Sequence, residues 1–417
     1  MKYSILLPVF FCLVFSSQIQ TQWQYTSSGM HDLNVYSLAA NQTYIFAGTQ
    51  QSLSVSTNNG SNWSMITFNT QLEPVRSMIV NNSTVFCGVT IYGVTVSANN
   101  GGYWTFHHPL GDRTIYALTY TAEDKLFAAA SGLTAGGGIA GVYLSVDNGN
   151  SFNSTSLVNK TVFSLISLNN IIYAGTSGEG IFISTNNGAD WLQTSLNNVT
   201  VTSLTANNSK IFAGTQGNGV YYSSDNGLSW THSSLNSGEV LSMAVSGNGV
   251  FAGLSSPMNF YVSNDNGENW VLKNEGLGNV NVDAVCIING YIFAGTTNSG
   301  VYRRPLGELT GIEQILNEIP SQFSLSQNYP NPFNPSTTIN FAIPLLRGVS
   351  GEAGRGVFTS IKVYDILGNE ITTLDNQQLT PGTYSVNWDA SNFPSGVYFY
   401  RLSAGEFTET NKMILLK

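Results

Sequence analysis

The stretch Ser184-Thr-Asn-Asn-Gly-Ala-Asp-Trp191 decides the fold, because it is one of six copies of a single phrase. The copies follow the pattern S-x-[DN]-N-G-x-x-[WF] and start 41, 48, 39, 39 and 40 residues apart. An Asn or Asp side chain can bond the backbone two residues on and so begin a turn, and glycine supplies a positive φ. We call this phrase the turn motif. Its Ser, Asn or Asp, Gly and aromatic positions are Ser56, Asn58, Gly60, Trp63, Ser97, Asn99, Gly101, Trp104, Ser145, Asp147, Gly149, Phe152, Ser184, Asn186, Gly188, Trp191, Ser223, Asp225, Gly227, Trp230, Ser263, Asp265, Gly267 and Trp270.

Two other phrases recur seven times each, upstream of the turn motifs and once more after the last one. Val35-Tyr-Ser-Leu38 is the first copy of one phrase, and Phe46-Ala-Gly48 is the first copy of the other. Together with the run that begins at the motif's Trp, they divide each unit of about 40 residues into four short apolar segments. Four strands per repeat of this length are typical of a β-propeller blade.

The number of blades follows from the spacing at the two ends of the repeat region. Trp23 lies 25 residues before Gly48, as Trp63 lies 25 before Gly88, although no turn motif precedes Trp23. The seventh unit conversely ends near Arg304 without a turn motif. We therefore predict an all-β fold in which the N-terminal strand completes the last blade. Residues 23–305 would form a seven-bladed propeller with four-stranded blades and no open sheet edge.

The turn motif resembles the Asp-box, the bacterial neuraminidase repeat of sialidase-like propellers. The resemblance implies that the motif is a folding element. It also raises the question of sialidase activity, which in that family needs three arginines from different blades around a carboxylate. The propeller region has only four arginines, and Arg303 and Arg304 are adjacent. The sequence therefore argues against a sialidase.

Composition restricts the partners further. Only 9% of the 417 residues are charged, and the formal net charge is −9. So few Lys and Arg residues argue against nucleic acid as a partner. The four histidines show no metal-ligand spacing, so we predict no metal and no cofactor.

The two ends of the chain carry export signals of different kinds. Met1-Lys2 and the apolar run from Ile5 to Phe15 predict a signal peptide over residues 1–22. No later run reaches 18 apolar residues, so we predict no transmembrane segment in the mature chain. A linker over 306–325 would lead to a module over 326–417, where strand-like runs alternate with Pro and Gly turns. That pattern predicts a small Ig-like β-sandwich.

The C-terminal module resembles the type A C-terminal sorting domain of type IX secretion, found in Bacteroidetes-like bacteria. The resemblance rests on Asn328-Tyr-Pro-Asn-Pro-Phe-Asn-Pro335, Val363-Tyr-Asp-Ile-Leu-Gly368, Ser395-Gly-Val-Tyr-Phe-Tyr-Arg401 and Lys412-Met413. It implies that the type IX machinery is a partner. It also implies passage through the periplasm to the cell surface or the medium, with removal of the module.

Candidate ligand-binding residues fall in segments that reach the propeller face opposite the turn motifs. They are Arg76, His107, His108, Asp112, Arg113, Tyr116 and Asp283. A Gly-rich insertion over Gly132–Gly141 belongs to the same face, as a flap over a pocket or as a tolerated surface loop.

Two functions remain open for this face. The one we favour is a non-catalytic binding or interaction propeller for an unknown glycan or protein ligand. The alternative is a glycan-active hydrolase that uses paired carboxylates such as Asp112 and Asp283, which would have to lie roughly 5–9 Å apart.

Overall fold

The computed structural model describes residues 22–66, 73–90, 92–106, 110–111, 113–132, 139–207, 209–310, 312–316, 320–345, 357–379, 381–390 and 393–417. Within these ranges the chain is almost entirely β-structure. Its strands form nine antiparallel sheets of four strands each. Seven of the sheets are the blades of a propeller, and two make a sandwich.

Blades 1 to 3 follow one another along the chain. They are formed by β2 (Val35–Ala40), β3 (Ile45–Thr49), β4 (Leu53–Ser56) and β5 (Ser64–Ile66); β6 (Val75–Asn81), β7 (Thr84–Val89), β8 (Gly93–Ser97) and β9 (Thr105–Phe106); and β10 (Ile115–Tyr120), β11 (Leu126–Ala130), β12 (Gly141–Ser145) and β13 (Asn153–Val158).

Blades 4 to 6 repeat this order. They are formed by β14 (Val162–Leu168), β15 (Ile171–Thr176), β16 (Gly180–Ser184) and β17 (Leu192–Gln193); β18 (Val201–Ala206), β19 (Ile211–Thr215), β20 (Val220–Ser223) and β21 (Thr231–His232); and β22 (Val240–Ser246), β23 (Gly249–Leu254), β24 (Phe260–Ser263) and β25 (Val271–Leu272).

Blade 7 joins the two ends of the repeat region. It contains β26 (Val282–Ile288), β27 (Tyr291–Thr296) and β28 (Gly300–Pro305), and its outer strand is β1 (Gln24–Tyr25). Gln24 pairs with Arg303 in antiparallel register. The innermost strands pack against one another in chain order, and β26 packs against β2. The predicted seven-bladed propeller, with the N-terminal strand closing the ring, is confirmed.

Glycine in the Phe-Ala-Gly phrase allows neighbouring blades to approach closely. A Cβ atom added at Gly253 in blade 6 would lie 2.5 Å from Val282 Cγ1 in blade 7. The same atom at Gly295 would lie 2.5 Å from Val35 Cγ1 in blade 1. Because a real Cβ cannot sit so close, a side chain here would push the blades apart. The phrase thus sets the spacing between blades.

The turn motif forms one hydrogen-bonded unit in all six copies. The Ser hydroxyl accepts a bond from the Gly N–H at 2.8–2.9 Å and donates to the Asn or Asp Oδ1 at 2.7–3.1 Å. The Asn before each Gly also has a positive φ, between 52° and 60°. Two consecutive positive φ values are typical of type I′ turns, in which Asn-Gly is favoured. Asn and Asp serve equally because each offers the same acceptor oxygen.

In every blade except blade 6, the aromatic residue of the Phe-Ala-Gly phrase is buried beneath the turn motif of the next blade. A Cβ atom at Gly60 in blade 1 would lie 2.9 Å from the ring of Phe293 in blade 7. A larger residue at the motif's glycine would therefore collide with this ring. The two phrases form a single contact that repeats around the propeller.

Blade 7 has a different structure where its turn motif would lie. Helix α1 (Gly307–Thr310) follows β28 at once, and Leu306 and Leu309 are buried in one cluster with Phe251 of blade 6. Asn264 Nδ2 donates to the Leu309 carbonyl at 2.9 Å. The predicted linker over 306–325 thus begins with residues that cover blade 6 in place of a seventh motif.

Arg304 fixes the start of this helix. Its side chain is buried, and its guanidinium contacts Glu308 in α1 at 3.1 Å and Glu275 at 2.9 Å. A buried arginine needs such partners because desolvating an unpaired charge costs several kcal/mol. Arg304 therefore acts in the fold of blade 7.

The C-terminal sandwich has two sheets around one core. One sheet has the order β29 (Ile312–Leu316), β34 (Gly382–Asp389), β31 (Ser336–Ile343) and β30 (Ser324–Leu325). The other has the order β33 (Glu370–Leu379), β32 (Val357–Tyr364), β35 (Gly396–Ala404) and β36 (Phe407–Leu415). This confirms the predicted sandwich. Strands β29 and β30 lie inside the range predicted as linker.

The proline-rich stretch is tied to the sandwich by hydrogen bonds. The Tyr400 hydroxyl donates to the Ser326 carbonyl at 2.7 Å and accepts from the Asn328 N–H at 2.8 Å. Asn328 Nδ2 donates to Thr337 Oγ1 at 2.9 Å. These buried polar groups satisfy one another, which holds the stretch against the second sheet.

Candidate functional site

The innermost strand of every blade contains a β-bulge at its second residue. In blade 1, Val35 pairs with Thr49 and Ser37 with Gly48, so that Tyr36 is the extra residue. The same register shift occurs in the other six blades. A bulge redirects the side chain of its extra residue. The seven bulge residues, which we call the bulge ring, are Tyr36, Arg76, Tyr116, Phe163, Thr202, Leu241 and Asp283.

Burial separates the bulge ring from the residues next to it. The residue before each bulge is at most 1% exposed, whereas each bulge residue is half-buried or exposed. The innermost strands surround the propeller axis, so their accessible side chains line the mouth of the axial channel. The fold thus displays one side chain from each blade around a single opening.

Blades 1 to 4 contribute an aromatic arc to the ring. The Arg76 guanidinium lies 4.7 Å from the centre of the Tyr36 ring, a cation–π distance. Tyr116 and Phe163 meet edge to face, with their ring centres 5.5 Å apart. Arg76 itself remains exposed. This side of the opening therefore combines aromatic surface with one accessible cation.

Blades 5 to 7 contribute polar and acidic groups. The Thr202 hydroxyl donates to the Val240 carbonyl, across the seam between two blades. Asp283 Oδ2 accepts a hydrogen bond from Thr297 Oγ1 at 2.5 Å. Burial, and to a smaller extent the charge of Glu239, raise the pKa of Asp283 above its ordinary value. The carboxyl groups of Asp283 and Glu239 are therefore close enough to interact electrostatically.

The ring lies at the propeller face opposite the turn motifs. Thr297 belongs to the loop between β27 and β28, and this loop reaches Asp283 near the start of β26. In blade 1, Asn34 Nδ2 before β2 likewise donates to Gln50 Oε1 after β3, at 2.9 Å. These contacts place the starts of the innermost strands at the loops between second and third strands.

The structure brings three of the seven predicted ligand-binding residues into the ring: Arg76, Tyr116 and Asp283. Arg113 is not a bulge residue: its guanidinium stacks on Tyr143 at 5.2 Å and donates to the Leu110 carbonyl at 2.6 Å. His107, His108 and Asp112 lie outside the described residues, as does most of the Gly132–Gly141 insertion.

Sequence reasoning missed Tyr36, Phe163, Thr202 and Leu241. Their signal was present at the second position of the phrase that begins Val35-Tyr-Ser-Leu38. The first position of that phrase is always Val or Ile and the third always Ser or Ala, whereas the second varies from blade to blade. The variation marks a position that the fold leaves free.

The remaining propeller arginines are engaged away from the ring. Arg303 stacks on Tyr291 at 5.2 Å and donates to the Asn59 carbonyl in the turn motif of blade 1. Arg304 pairs with Glu275 and Glu308. Arg76 is thus the one arginine in the ring.

The described residues include no group of three His, Cys, Asp or Glu side chains that could hold a metal ion. Where the chain is described, its one short helix cannot reach across a bilayer.

Comparison with solved structures shows the fold. The extracellular domain of BT4673 from B. thetaiotaomicron is 14% identical, with a TM-score of 0.56 over 84% of this chain and 51% of its own length. YCF48 bound to D1 peptide is 11% identical, with a TM-score of 0.54 over 68% of this chain and 96% of its own. The designed protein Ika8 is 12% identical, with a TM-score of 0.50 over 68% of this chain and 99% of its own length. At these identities the likeness concerns architecture alone.

Comparison with protein families identifies the C-terminal module. Residues 327–416 match the family described as "Secretion system C-terminal sorting domain". No curated protein matches the chain significantly. The family match confirms the type IX sorting domain expected from the proline-rich stretch. The chain therefore carries a signal for export to the cell surface or the medium.

Proposed function

We propose that this protein is an exported propeller that binds a glycan or protein ligand at the bulge ring. One observation carries the proposal: seven equivalent bulges present seven side chains of six residue types around one opening. A position needed only for folding would hold similar residues in all blades, as the positions on either side do. The varied side chains are therefore available for recognition.

The chemistry of the ring suits a ligand with both apolar faces and polar groups. Tyr116 and Phe163 offer aromatic surface that can pack against sugar rings or apolar side chains. Arg76 can donate several hydrogen bonds from a fixed plane, and Asp283 can accept them. A few polar groups among aromatic surfaces are characteristic of small-molecule and glycan sites.

We propose the export route as follows. The signal peptide over residues 1–22 delivers the chain to the periplasm, and the sorting domain engages the type IX machinery. The domain is then removed, and the propeller is released or held at the surface. The hydrogen bonds of the turn motif support its likeness to the Asp-box as a folding element.

Export can be tested by deleting residues 327–416. We expect the shortened protein to accumulate in the periplasm, because the sorting signal is lost. The full chain serves as the control, and both are followed by immunoblots of periplasm, cell surface and medium. Unchanged appearance of the shortened protein outside the cell would contradict the proposal.

Binding can be tested by screening the purified full chain against immobilised glycans and cell-surface proteins. We expect at least one ligand to bind reversibly without being altered. If no member of either class binds, the proposed binding function is wrong.

A second candidate function is glycoside hydrolysis. The observation in its favour is that Asp283 lies close enough to Glu239 for the charge of Glu239 to contribute to the raised pKa of Asp283, since glycosidases use a pair of carboxyl groups. This function predicts reducing-sugar release from a polysaccharide, with loss of the activity in Asp283→Asn. A ligand that binds and is never cleaved would refute it.

A further inference from the structure

On the turn-motif face, an asparagine closes three of the seams between blades. Asn41 Nδ2 donates to the Asn82 carbonyl and to Asn100 Oδ1, both at 2.8 Å. The same pair of bonds is made by Asn207 to blade 6 and by Asn289 to blade 1. Each bridge joins the first hairpin of one blade to the first hairpin and the turn motif of the next.

The seam between blades 2 and 3 lacks this bridge. Asn82 is the equivalent of Asn289, because each lies seven residues after the first residue of its innermost strand. However, Asn82 Nδ2 donates within its own blade, to Asn81 Oδ1. The acceptor expected across the seam, Asn148 Oδ1, instead receives the Tyr120 hydroxyl at 3.2 Å. The two blades therefore do not meet as the bridged blades do.

The cause lies in the first hairpin of blade 3. Five residues separate β10 from β11, whereas two separate β6 from β7 in blade 2. The longer hairpin brings Tyr120 and Asp124 to the seam, and the Tyr120 ring stacks on Phe86 of blade 2 with centres 5.6 Å apart. A cleft of about 510 Å³ remains between the blades.

We propose that this cleft is a second binding site, separate from the bulge ring, and that it takes a neutral saccharide. Its lining includes the amides of Asn81, Asn82, Asn148 and Asn150, the Tyr120 hydroxyl and the Asp124 carboxylate, and it contains no Lys or Arg. Amides and hydroxyls both donate to and accept from sugar hydroxyls. The lack of a cation disfavours anionic ligands, and the volume falls within the range of about 300–1,000 Å³ for small-molecule sites.

The polar groups of the cleft have unused capacity for such a ligand. The Tyr120 hydroxyl lies 3.2 Å from both Asp124 Oδ1 and Asn148 Oδ1, yet it has one hydrogen to donate. One of these oxygens can therefore accept a hydrogen bond from a ligand hydroxyl. In the bridged seams, the equivalent oxygens of Asn100, Asn266 and Asn59 already accept a hydrogen bond from the bridging asparagine.

The test measures neutral mono- and disaccharides against the full chain by saturation-transfer NMR and calorimetry. Ala98→Phe fills the cleft from an exposed position in the turn motif of blade 2, and Thr57→Phe makes the same change at the equivalent exposed position of blade 1. We expect a saccharide to bind wild type and Thr57→Phe equally. Binding should weaken at least about tenfold in Ala98→Phe and several-fold in Tyr120→Phe.

Three results would overturn the proposal. The first is that no neutral saccharide binds at about 10 mM. The second is that Ala98→Phe and Tyr120→Phe both bind the saccharide as tightly as wild type does. The third is that charged sugars bind more tightly than neutral ones. Tyr120→Phe keeps the test decisive if Ala98→Phe fails to fold. Tyr116→Ala in the bulge ring should leave cleft binding unchanged, which separates this site from the proposed function.

Discussion

Replacing Leu309 by alanine tests whether helix α1 takes the place of a seventh turn motif. The Leu309 side chain is 2% exposed and belongs to the cluster that contains Phe251 and Trp23. Removing a buried leucine side chain costs about 2–5 kcal/mol, from lost burial and from the cavity that remains. Because Asn264 holds the Leu309 carbonyl, the helix cannot easily collapse into the space. We expect a loss near the middle of this range, about 3 kcal/mol.

The full chain is unfolded with urea, monitored by circular dichroism, and by heating, monitored by calorimetry. Since the propeller and the sandwich have separate cores, we expect two transitions, and only that of the propeller should move. A loss of 3 kcal/mol would lower its midpoint temperature by roughly 6–12 °C. Leu228→Ala is the matched control, because Leu228 is 69% exposed in the turn motif of blade 5.

The prediction is refuted if the free energy of unfolding of the Leu309→Ala propeller is within about 0.5 kcal/mol of the wild-type value, which is the range of ordinary surface substitutions. Blade 6 would then not need α1 as its cover. A shift confined to the sandwich transition would likewise contradict the assignment of α1 to the propeller.

Two further predictions concern the repeats. Hydrogen bonds from Ser151 and Ser229 lower the pKa of Asp147 and, to about 2, that of Asp225. Because these folded-state pKa values lie below those of the unfolded chain, the stabilisation is full above about pH 4 and is lost as the pH falls towards 2. The double Asp147→Asn, Asp225→Asn variant should therefore lose less free energy of unfolding than wild type between pH 7 and pH 3, as measured by urea titration. If the free energies of unfolding of the two proteins fall in parallel with pH, the aspartates are not coupled to folding. Gly253→Ala should destabilise the propeller by about 1–3 kcal/mol through the contact with Val282, and an unchanged urea midpoint would mean that this seam tolerates a side chain.

The repeat architecture could be read from the sequence because its signals are local. The turn motif fixes one turn per blade, and the distance from Trp23 to Gly48 predicts that the first strand closes the ring. The bulge ring is harder to predict, because a bulge is a property of strand pairing. Nothing in Val35-Tyr-Ser-Leu38 alone says that Tyr36 will have no partner in β3.

Other features depend on contacts between distant parts of the chain. The sequence gives no sign that Leu306 and Leu309 belong to the propeller, because they are buried only by their packing with residues such as Phe251 of blade 6. Strand β33 is difficult to predict from the sequence, because Glu370–Leu379 is largely polar and only its pairing with β32 defines it as a strand. The contact of Arg113 with Tyr143 likewise forms only when β12 folds against β10 and β11.

The central claim is that the propeller recognises its ligand at the bulge ring. The most direct measurement is the affinity of the full chain for the ligand found by screening, compared among wild type, Tyr116→Ala and Tyr103→Ala. Tyr103 is 71% exposed in the turn motif of blade 2, so its loss is a matched control on the opposite face. We predict at least about tenfold weaker binding for Tyr116→Ala and unchanged binding for Tyr103→Ala. Equal affinity in Tyr116→Ala and wild type, with binding lost in Tyr103→Ala, would contradict the claim.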